Sequence, residues 1–84
     1  MSRSQWWRRQ RLAEAKPLLK ALMADGLIQG EIGQMVGVTP SIAESTVYNW
    51  LAGRAYPTEA QLCQIIRLHE IRGLAMPKKA THGR

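Results

Sequence analysis

Apolar residues recur along the chain at the three- and four-residue spacing of α-helices, and the alternation typical of β-strands is scarce. Four of these apolar stretches end at a glycine, a residue that closes helices because it adopts the left-handed conformation without a Cβ penalty. The pattern predicts helices over residues 2–15, 17–25, 29–36, 40–52 and 59–72. We therefore expect an all-α protein, a compact bundle of four to five short helices.

Pro17 divides the N-terminal apolar pattern into two parts. Inside a helix a proline costs about 3 kcal/mol, whereas at the first helical position its missing N–H is not needed. We therefore expect a helix to begin at Pro17 and to bury Leu18, Leu19 and Leu22. The expected organisation is a basic N-terminal arm or extra helix over residues 1–15, a main domain over 16–73, and a mobile basic tail over 74–84.

The sequence QGEIGQMVGVTPSIAESTVYNWLAG, residues 29–53, predicts two helices that meet at a tight corner. In the first helix Ile32 and Val36 lie four residues apart with the small Gly33 between them, so one face can pack closely against a neighbour. Gly37 ends this helix, and Val38 beyond it can turn back onto the core. This central stretch is the element around which we expect the rest of the chain to pack.

The second helix of the central stretch has two possible starts. Thr39 can cap it with Pro40 at the first helical position, or Ser41 can form a capping box with Glu44. Its core stripe consists of Val47, Trp50 and Leu51. The side opposite this stripe is polar and exposes residues that could contact DNA bases, or that form an ordinary solvated face: Ser41, Glu44, Ser45, Tyr48 and Asn49.

Charge is distributed unevenly along the 84 residues, which carry a net charge of +6 and have a pI near 10.3. Residues 1–25 carry six basic against two acidic residues, and residues 54–84 do the same, so each flank has a net charge of +4. Residues 26–53 contain only Glu31 and Glu44, a net charge of −2. A polyanion would therefore be attracted by the flanks rather than by the central helices, although charge also serves solubility.

Residues 16–72 resemble the Cro/repressor-type (lambda repressor-like) helix-turn-helix DNA-binding family. The resemblance rests on four features in succession, which are GVTPS, STVYNWLAG, YPT and a further amphipathic helix. Six positions match the family pattern: Gln29, Gly33, Gly37, Val38, Val47 and Trp50. The family usually passes almost directly from the position of Ser41 to that of Thr46, so residues 42–45 are four additional residues. These lengthen either the recognition helix or the turn before it.

The resemblance implies a sequence-specific regulator of transcription that binds double-stranded DNA. We expect a repressor from a phage, plasmid or bacterium, acting as a homodimer on a two-fold symmetric operator. Gln29 matches a family position that contacts phosphate, and Arg54 and Tyr56 follow the recognition helix where the family makes backbone contacts. The N-terminal arm adds three arginines that could neutralise phosphates: Arg8, Arg9 and Arg11. The alternative is a protein-interaction module on the same fold, such as an antirepressor or an antitoxin.

Other functional classes lack a sequence signal. The single Cys63 excludes an internal disulfide, and its apolar neighbours predict a small buried side chain. His69 and His82 lie thirteen residues apart, and no arrangement of carboxylates or Cys around them has the spacing of metal ligands, so we expect no metal site and no cofactor. No catalytic constellation and no membrane-length apolar run is visible, so we expect a cytoplasmic, nucleoid-associated protein that is not an enzyme.

Trp6 and Trp7 are consecutive, so they cannot face the same way on a helix. We expect one of them to pack on the domain or across a dimer interface, in preference to stacking on DNA bases.

Overall fold

The computed structural model describes residues 3–74, and all regular structure in this part of the chain is helical. The four helices are α1 (Arg3–Ala24), α2 (Gln29–Met35), α3 (Pro40–Ala52) and α4 (Glu59–Ile71). The prediction of an all-α fold is confirmed. Between residues 3 and 74 no helix combines the length and the apolar character that a bilayer-spanning segment needs. Of the predicted basic tail, residues 74–84, only Leu74 belongs to the described residues. The rest of the tail, including His82, lies outside them.

Pro17 lies inside α1, so the predicted helix break before it is wrong. The N–H that proline lacks would have bonded to the carbonyl of Ala13, one turn earlier. Both Pro17 and Ala13 are exposed, so water can reach the unpaired carbonyl. Buried side chains lie on both sides of the proline and hold the two parts in a single helix: Leu12, Ala15, Leu18, Leu19 and Leu22.

The core is built around α1, which contacts each of the other three helices. α2 packs mainly on α3, whereas α4 packs mainly on α1. Each of the four helices contributes to one buried apolar cluster, including Leu19 from α1, Ile32 from α2, Trp50 from α3 and Ile65 from α4. The chain thus places α2 and α3 as a unit against α1, with α4 forming a separate contact to the same helix.

Gly33 allows α2 and α3 to approach each other closely. A Cβ at this position would lie 2.7 Å from the Cβ and the carbonyl oxygen of Ala43, well inside van der Waals contact. At the end of α2, Gly37 adopts φ +94°, and the N–H of Val38 donates to the Gly33 carbonyl at 2.8 Å. The expected tight corner is therefore present, with Val38 buried behind it.

α3 begins with Thr39 as the N-cap and Pro40 as the first helical residue, the first of the two starts considered from the sequence. Residues 42–45 lie within α3 and not in the turn before it. α3 ends at Gly53, which has φ +79° and is left-handed as expected.

Cys63 is exposed, which contradicts the expectation that it is buried among apolar neighbours. The inward face of α4 consists of Leu62, Ile65 and His69. Because consecutive helical residues differ by about 100°, Cys63 points away from this face although its sequence neighbours are apolar. The start of α4 agrees with the sequence, since Thr58 and Gln61 form the predicted capping box through bonds of 2.8 and 3.1 Å.

Residues 5–10 of α1 are all exposed, because the buried face of this helix begins only at Leu12. We call this segment the α1 extension. Trp6 and Trp7 are 46% and 54% exposed and contact each other edge to face, with ring centroids 4.6 Å apart. The expectation that one of them packs on the core of its own chain is therefore wrong. The α1 extension lies outside the core, so no buried surface determines which side of this segment of the helix is covered.

Candidate nucleic-acid interface

α3 has a buried side that fixes its position and an exposed side that is polar. Ala43, Val47 and Trp50 are at most 1% exposed, so the helix cannot rotate without opening the core. Four of the five side chains predicted to contact bases lie on the exposed side: Ser41, Glu44, Ser45 and Tyr48. A fixed helix with a free polar face is the geometry that groove recognition requires.

The start of α2 borders the exposed face of α3. Gln29, the first residue of α2, lines a shallow depression together with Glu44, Ser45 and Tyr48. The adjacent Gly30 is close enough that a Cβ there would lie 3.8 Å from the Cβ of Glu44. One predicted phosphate contact and three predicted base contacts are therefore brought together.

Arg54 extends this surface beyond the C-terminal end of α3. Its Cζ atom lies 5.7 Å from the centroid of the Tyr48 ring, within the range of a cation–π contact. The turn is held by the carbonyl of Asn49, which accepts from the N–H groups of Arg54 and Ala55 at 2.9 and 3.3 Å. Asn49 itself is half-buried, so it is the least accessible of the predicted base-contact residues.

A second depression lies between the α1 extension and the loop before α4. It is lined by Arg8 and Arg11 of α1, by the loop residues Tyr56, Pro57 and Thr58, and by Glu59 at the start of α4. Nε of Arg11 donates to the Pro57 carbonyl at 2.9 Å, so this arginine ties α1 to the loop. Arg54 and Tyr56 are two residues apart, and the loop thus connects the second depression to the α3 surface.

Arg9 is exposed and lines neither depression. It follows Arg8 by one residue, which rotates its side chain by about 100° around α1. Two of the three arginines predicted for phosphate binding are therefore grouped with Tyr56, and the third points elsewhere.

The two charged groups of this surface have opposite signs, an acidic one in the depression and a basic one at its edge. Glu44 is the charged residue that lines the depression with Gln29, and Arg54 stands at its border. At the start of α2 the carboxylate of Glu31 accepts from the Ile28 N–H at 3.0 Å, so one helix-terminal donor is already satisfied. The positive charge that could attract a polyanion therefore lies at the rim of this surface and not at its centre.

Ile42 was not among the residues predicted from the sequence to contact bases, because those were chosen from the polar side chains of the second central helix. Its side chain is 52% exposed on α3, and its carbonyl accepts from Oγ of Ser45 at 3.2 Å. An exposed β-branched residue one helical turn before a predicted base contact is the signal that would have identified it. Apolar side chains of this kind contact the thymine methyl group in the major groove.

Comparison of the chain with protein-family models, curated proteins and solved structures finds no match. A function therefore has to be inferred from the residues and their geometry. What they provide is a fixed helix with an exposed polar face, a cation at its C-terminal end, and two more arginines beyond the adjoining loop. Among the described residues, no three His, Cys, Asp or Glu side chains are grouped as metal ligands would be.

Proposed function

We propose that this chain binds a specific double-stranded DNA site through α3 and represses transcription there, with α2 and α3 acting as a lambda repressor-like helix-turn-helix. The observation that carries the proposal is the polar face of α3, which is free while the opposite face is locked into the core. A major groove about 12 Å wide admits one helix, and the exposed side chains would then meet base edges.

The residues on α3 have different chemical roles in this proposal. Glu44 accepts a hydrogen bond from cytosine and repels phosphate, which favours a position deep in the groove. Ser45 already donates to a backbone carbonyl, so its lone pairs remain to accept from adenine or cytosine amino groups. Ile42 adds contact with a thymine methyl, and Ser41 and Asn49 lie nearer the two ends of the helix. Tyr48 lies under the Arg54 guanidinium, at the end of the part of α3 that would enter the groove.

The phosphate contacts lie at the border of the α3 face. Gln29 and Arg54 flank it directly, and Tyr56, Arg8 and Arg11 continue from the loop to α1. Each neutralised phosphate releases counterions, so the logarithm of the binding constant falls with the logarithm of salt by about 0.9 per contact. Arg9 would contact a phosphate only if the DNA also reached the side of the α1 extension that faces away from the second depression.

The proposed protein acts as a homodimer. A single helix of this size contacts only a few base pairs, which supplies too little discrimination for one site in a genome. Two copies related by a two-fold axis would contact two half-sites about one helical turn apart and roughly double the discrimination energy. The operator is then a palindrome.

Selection from a random pool of double-stranded DNA tests the proposal. We expect gel-shift selection in the presence of heparin to enrich a palindromic sequence. The Arg54→Gln variant should bind this sequence with lower affinity but should still prefer it to other sequences. Lys20→Gln is the matched control, because Lys20 is exposed about half a turn around α1 from Arg11. Salt-sensitive binding without enrichment of any sequence would overturn the proposed function.

A second candidate is a protein-interaction module such as an antirepressor or antitoxin. It is favoured by exposed apolar side chains on and beside α2 and α3, with Ile28 65%, Met35 50% and Ile42 52% exposed. Glu31 and Glu44 add acidic charge on the same two helices, and exposed apolar side chains of this kind suit a protein partner. The selection experiment separates the two, since this candidate predicts no preferred DNA sequence.

A further inference from the structure

The second depression brings together charges of both signs. It is lined by two guanidinium groups, from Arg8 and Arg11, and by one carboxylate, from Glu59. In the described part of the chain the only ion pair joins Arg72 to Asp25, so neither arginine of the depression is paired with Glu59. The volume of the depression is about 540 Å³, within the range of roughly 300–1,000 Å³ found for small-ligand sites. The depression is thus large enough for a small molecule that meets all three charges.

We propose that the second depression binds a small phosphate monoester that also carries hydroxyl groups, as sugar phosphates and nucleotides do. The phosphate would lie between Arg8 and Arg11, and a hydroxyl group would donate to the carboxylate of Glu59. The bound ligand would compete with the DNA backbone for the two arginines. This effect on DNA binding rests on the proposed function, whereas binding of the ligand itself does not.

Arg8 and Arg11 can meet the same phosphate because they lie three residues apart on α1. Side chains at this spacing are neighbours on a helix surface, with Cβ atoms about 5–6 Å apart. Nε of Arg11 donates to the Pro57 carbonyl at 2.9 Å, so this guanidinium is held in place before a ligand arrives. The N–H groups on its two terminal nitrogens remain to bind an anion. A guanidinium oriented in advance loses less conformational freedom on binding than a free one.

The charges favour a phosphate monoester over the diester of a DNA backbone. A monoester carries a charge of about −1.5 to −2 at pH 7, which two guanidinium groups can neutralise, whereas each DNA phosphate carries about −1. The carboxylate of Glu59 accepts hydrogen bonds and donates none. It therefore repels a bare phosphate and binds hydroxyl groups beside one. The backbone of DNA lacks such hydroxyl groups along its length, so a sugar phosphate fits the depression better.

Tyr56 gives the second depression an aromatic wall. This residue is half-buried and packs against the apolar core, so its position does not depend on a ligand. Aromatic rings bind the bases of nucleotides by stacking. A nucleotide would therefore gain a contact that a simple sugar phosphate lacks, while both share the phosphate and the hydroxyl groups.

An NMR titration of the full chain with ribose 5-phosphate, without DNA, tests the site. Arg8, Thr58 and Glu59 are exposed, so water and salt screen the charge pairs and we expect a Kd on the order of 0.1–1 mM. Inorganic phosphate should bind about fivefold more weakly, because it has no sugar hydroxyl for Glu59. Adenosine 5′-monophosphate should bind as well. A Kd below that of ribose 5-phosphate identifies a nucleotide as the ligand, and an equal Kd identifies a sugar phosphate.

Two pairs of variants locate the contacts. Arg8→Gln should weaken binding of ribose 5-phosphate about fivefold. Arg9→Gln removes the same charge one residue away, outside the depression, and should stay within about twofold of the original chain. Glu59→Gln should strengthen binding of inorganic phosphate and lower the preference for ribose 5-phosphate to about twofold or less. Glu70→Gln is its control, because Glu70 is exposed on α4 and does not line the depression.

Circular dichroism should show unchanged helix content in all four variants. Titrations that do not saturate below roughly 20 mM, about twenty times the weakest expected Kd, would overturn the proposal. Equal losses in Arg8→Gln and Arg9→Gln would also overturn it, because binding would then follow net charge. An unchanged preference in Glu59→Gln would do the same.

The competition is measured with a selected operator at constant ionic strength. Saturating ribose 5-phosphate should weaken operator binding about tenfold, because the contacts of two arginines to phosphate are lost. Unchanged operator affinity would overturn the proposed competition. Saturable binding of ribose 5-phosphate by a chain that selects no DNA sequence would support the site and refute the proposed function alone.

Discussion

The α2–α3 pair and the α1 extension are both helical, but they are held in opposite ways. In the pair, Gly33 lies against Ala43 so closely that even one methyl group has no room. In the extension, residues 5–10 are exposed and Trp6 and Trp7 contact mainly each other. Arg11 anchors the base of the extension to the Pro57 carbonyl, and the buried face begins one residue later.

This difference separates two tasks that DNA recognition needs. A base contact depends on the position of a helix to within about an ångström, so the helix that makes it has to be fixed by dense packing. Attraction to phosphate falls off over roughly 10 Å at 0.1 M salt, so cations on a less constrained segment still contribute. On this view the α2–α3 pair determines which sequence is bound, and the arginines of α1 determine how tightly.

The largest expected effect of adding a single methyl group is at Gly33. Gly33→Ala places a Cβ 2.7 Å from Ala43 atoms that include a backbone oxygen, so α2 and α3 have to separate. We expect a loss of about 3 kcal/mol of unfolding free energy, which lowers Tm by roughly 10–20 °C. Gly30→Ala is the control three residues earlier, because its Cβ would meet Glu44 at an ordinary 3.8 Å.

For Gly30→Ala we expect a gain of about 0.5 kcal/mol from the better helix propensity of alanine. Thermal unfolding followed by circular dichroism measures both variants. Equal effects of the two substitutions would show that the α2–α3 pair is no more tightly packed than an ordinary helix contact.

The next effect concerns the joint between the α1 extension and the core. Pro17→Ala restores the hydrogen bond to the Ala13 carbonyl within a continuous helix. We expect a gain of about 2 kcal/mol in unfolding free energy, measured by urea denaturation, because helix propensity favours alanine by up to ~3 kcal/mol. If α1 were instead broken before Pro17, the substitution would remove a residue that is favourable in the first turn of a helix. The free energy of unfolding would then rise little or not at all, which would contradict a continuous α1.

Signals that act within one or two helical turns could be predicted from the sequence. The Thr58–Gln61 capping box and the left-handed Gly37 and Gly53 depend on neighbouring residues, and the start of α3 at Pro40 is one of the two starts that the sequence left open. They depend on the local backbone, so the sequence contains what determines them. The depression between Gln29 and α3 was not predictable in detail, because it depends on how closely Gly33 lets two helices approach.

Three features were misjudged because tertiary packing decides them. Pro17 is tolerated since core contacts on both sides outweigh one lost hydrogen bond. Cys63 has apolar neighbours in sequence but faces away from α1. Trp6 and Trp7 are large and apolar, yet α1 extends beyond the core before it reaches them. In each case the sequence shows the local preference, and the outcome depends on which residues the packing of the helices buries.

A smaller effect distinguishes two adjacent arginines of the α1 extension. Arg8 lines the depression beside Tyr56, whereas Arg9 lies outside it. Given a selected operator, we expect Arg8→Gln to weaken binding about fivefold for all DNA sequences and to reduce the salt slope by about 0.9. Arg9→Gln should change affinity less than twofold. Fluorescence anisotropy over a salt series measures the affinity and the salt slope of both variants. An equal loss of affinity in the two variants would mean that the DNA contacts a different side of α1.

A substitution on α3 should have the complementary result. Ser45→Ala removes an exposed hydroxyl on the face proposed to contact bases, without disturbing the core. We expect discrimination between the operator and a single-base variant to fall by about 1 kcal/mol, while affinity for non-specific DNA is unchanged. Competition gel shifts with paired operators measure this ratio. A uniform loss for every sequence would show that Ser45 contacts the backbone, and the division between the two regions would be wrong.

The smallest expected effect concerns Trp6 and Trp7 in the α1 extension, and the buried Trp50 of α3 is the reference for a tryptophan held in the core. Trp50 is 1% exposed in α3, and Trp50→Ala should cost about 4 kcal/mol of unfolding free energy because it leaves a large cavity. Trp6→Ala and Trp7→Ala remove side chains that are about half exposed and contact each other, so each should change stability by about 0.5 kcal/mol or less. Urea denaturation of the three variants measures these differences at a protein concentration below that of self-association. A cost above about 2 kcal/mol at Trp6 or Trp7 would mean that the extension packs against the core, and its arginines would then be as rigidly placed as the side chains of α3.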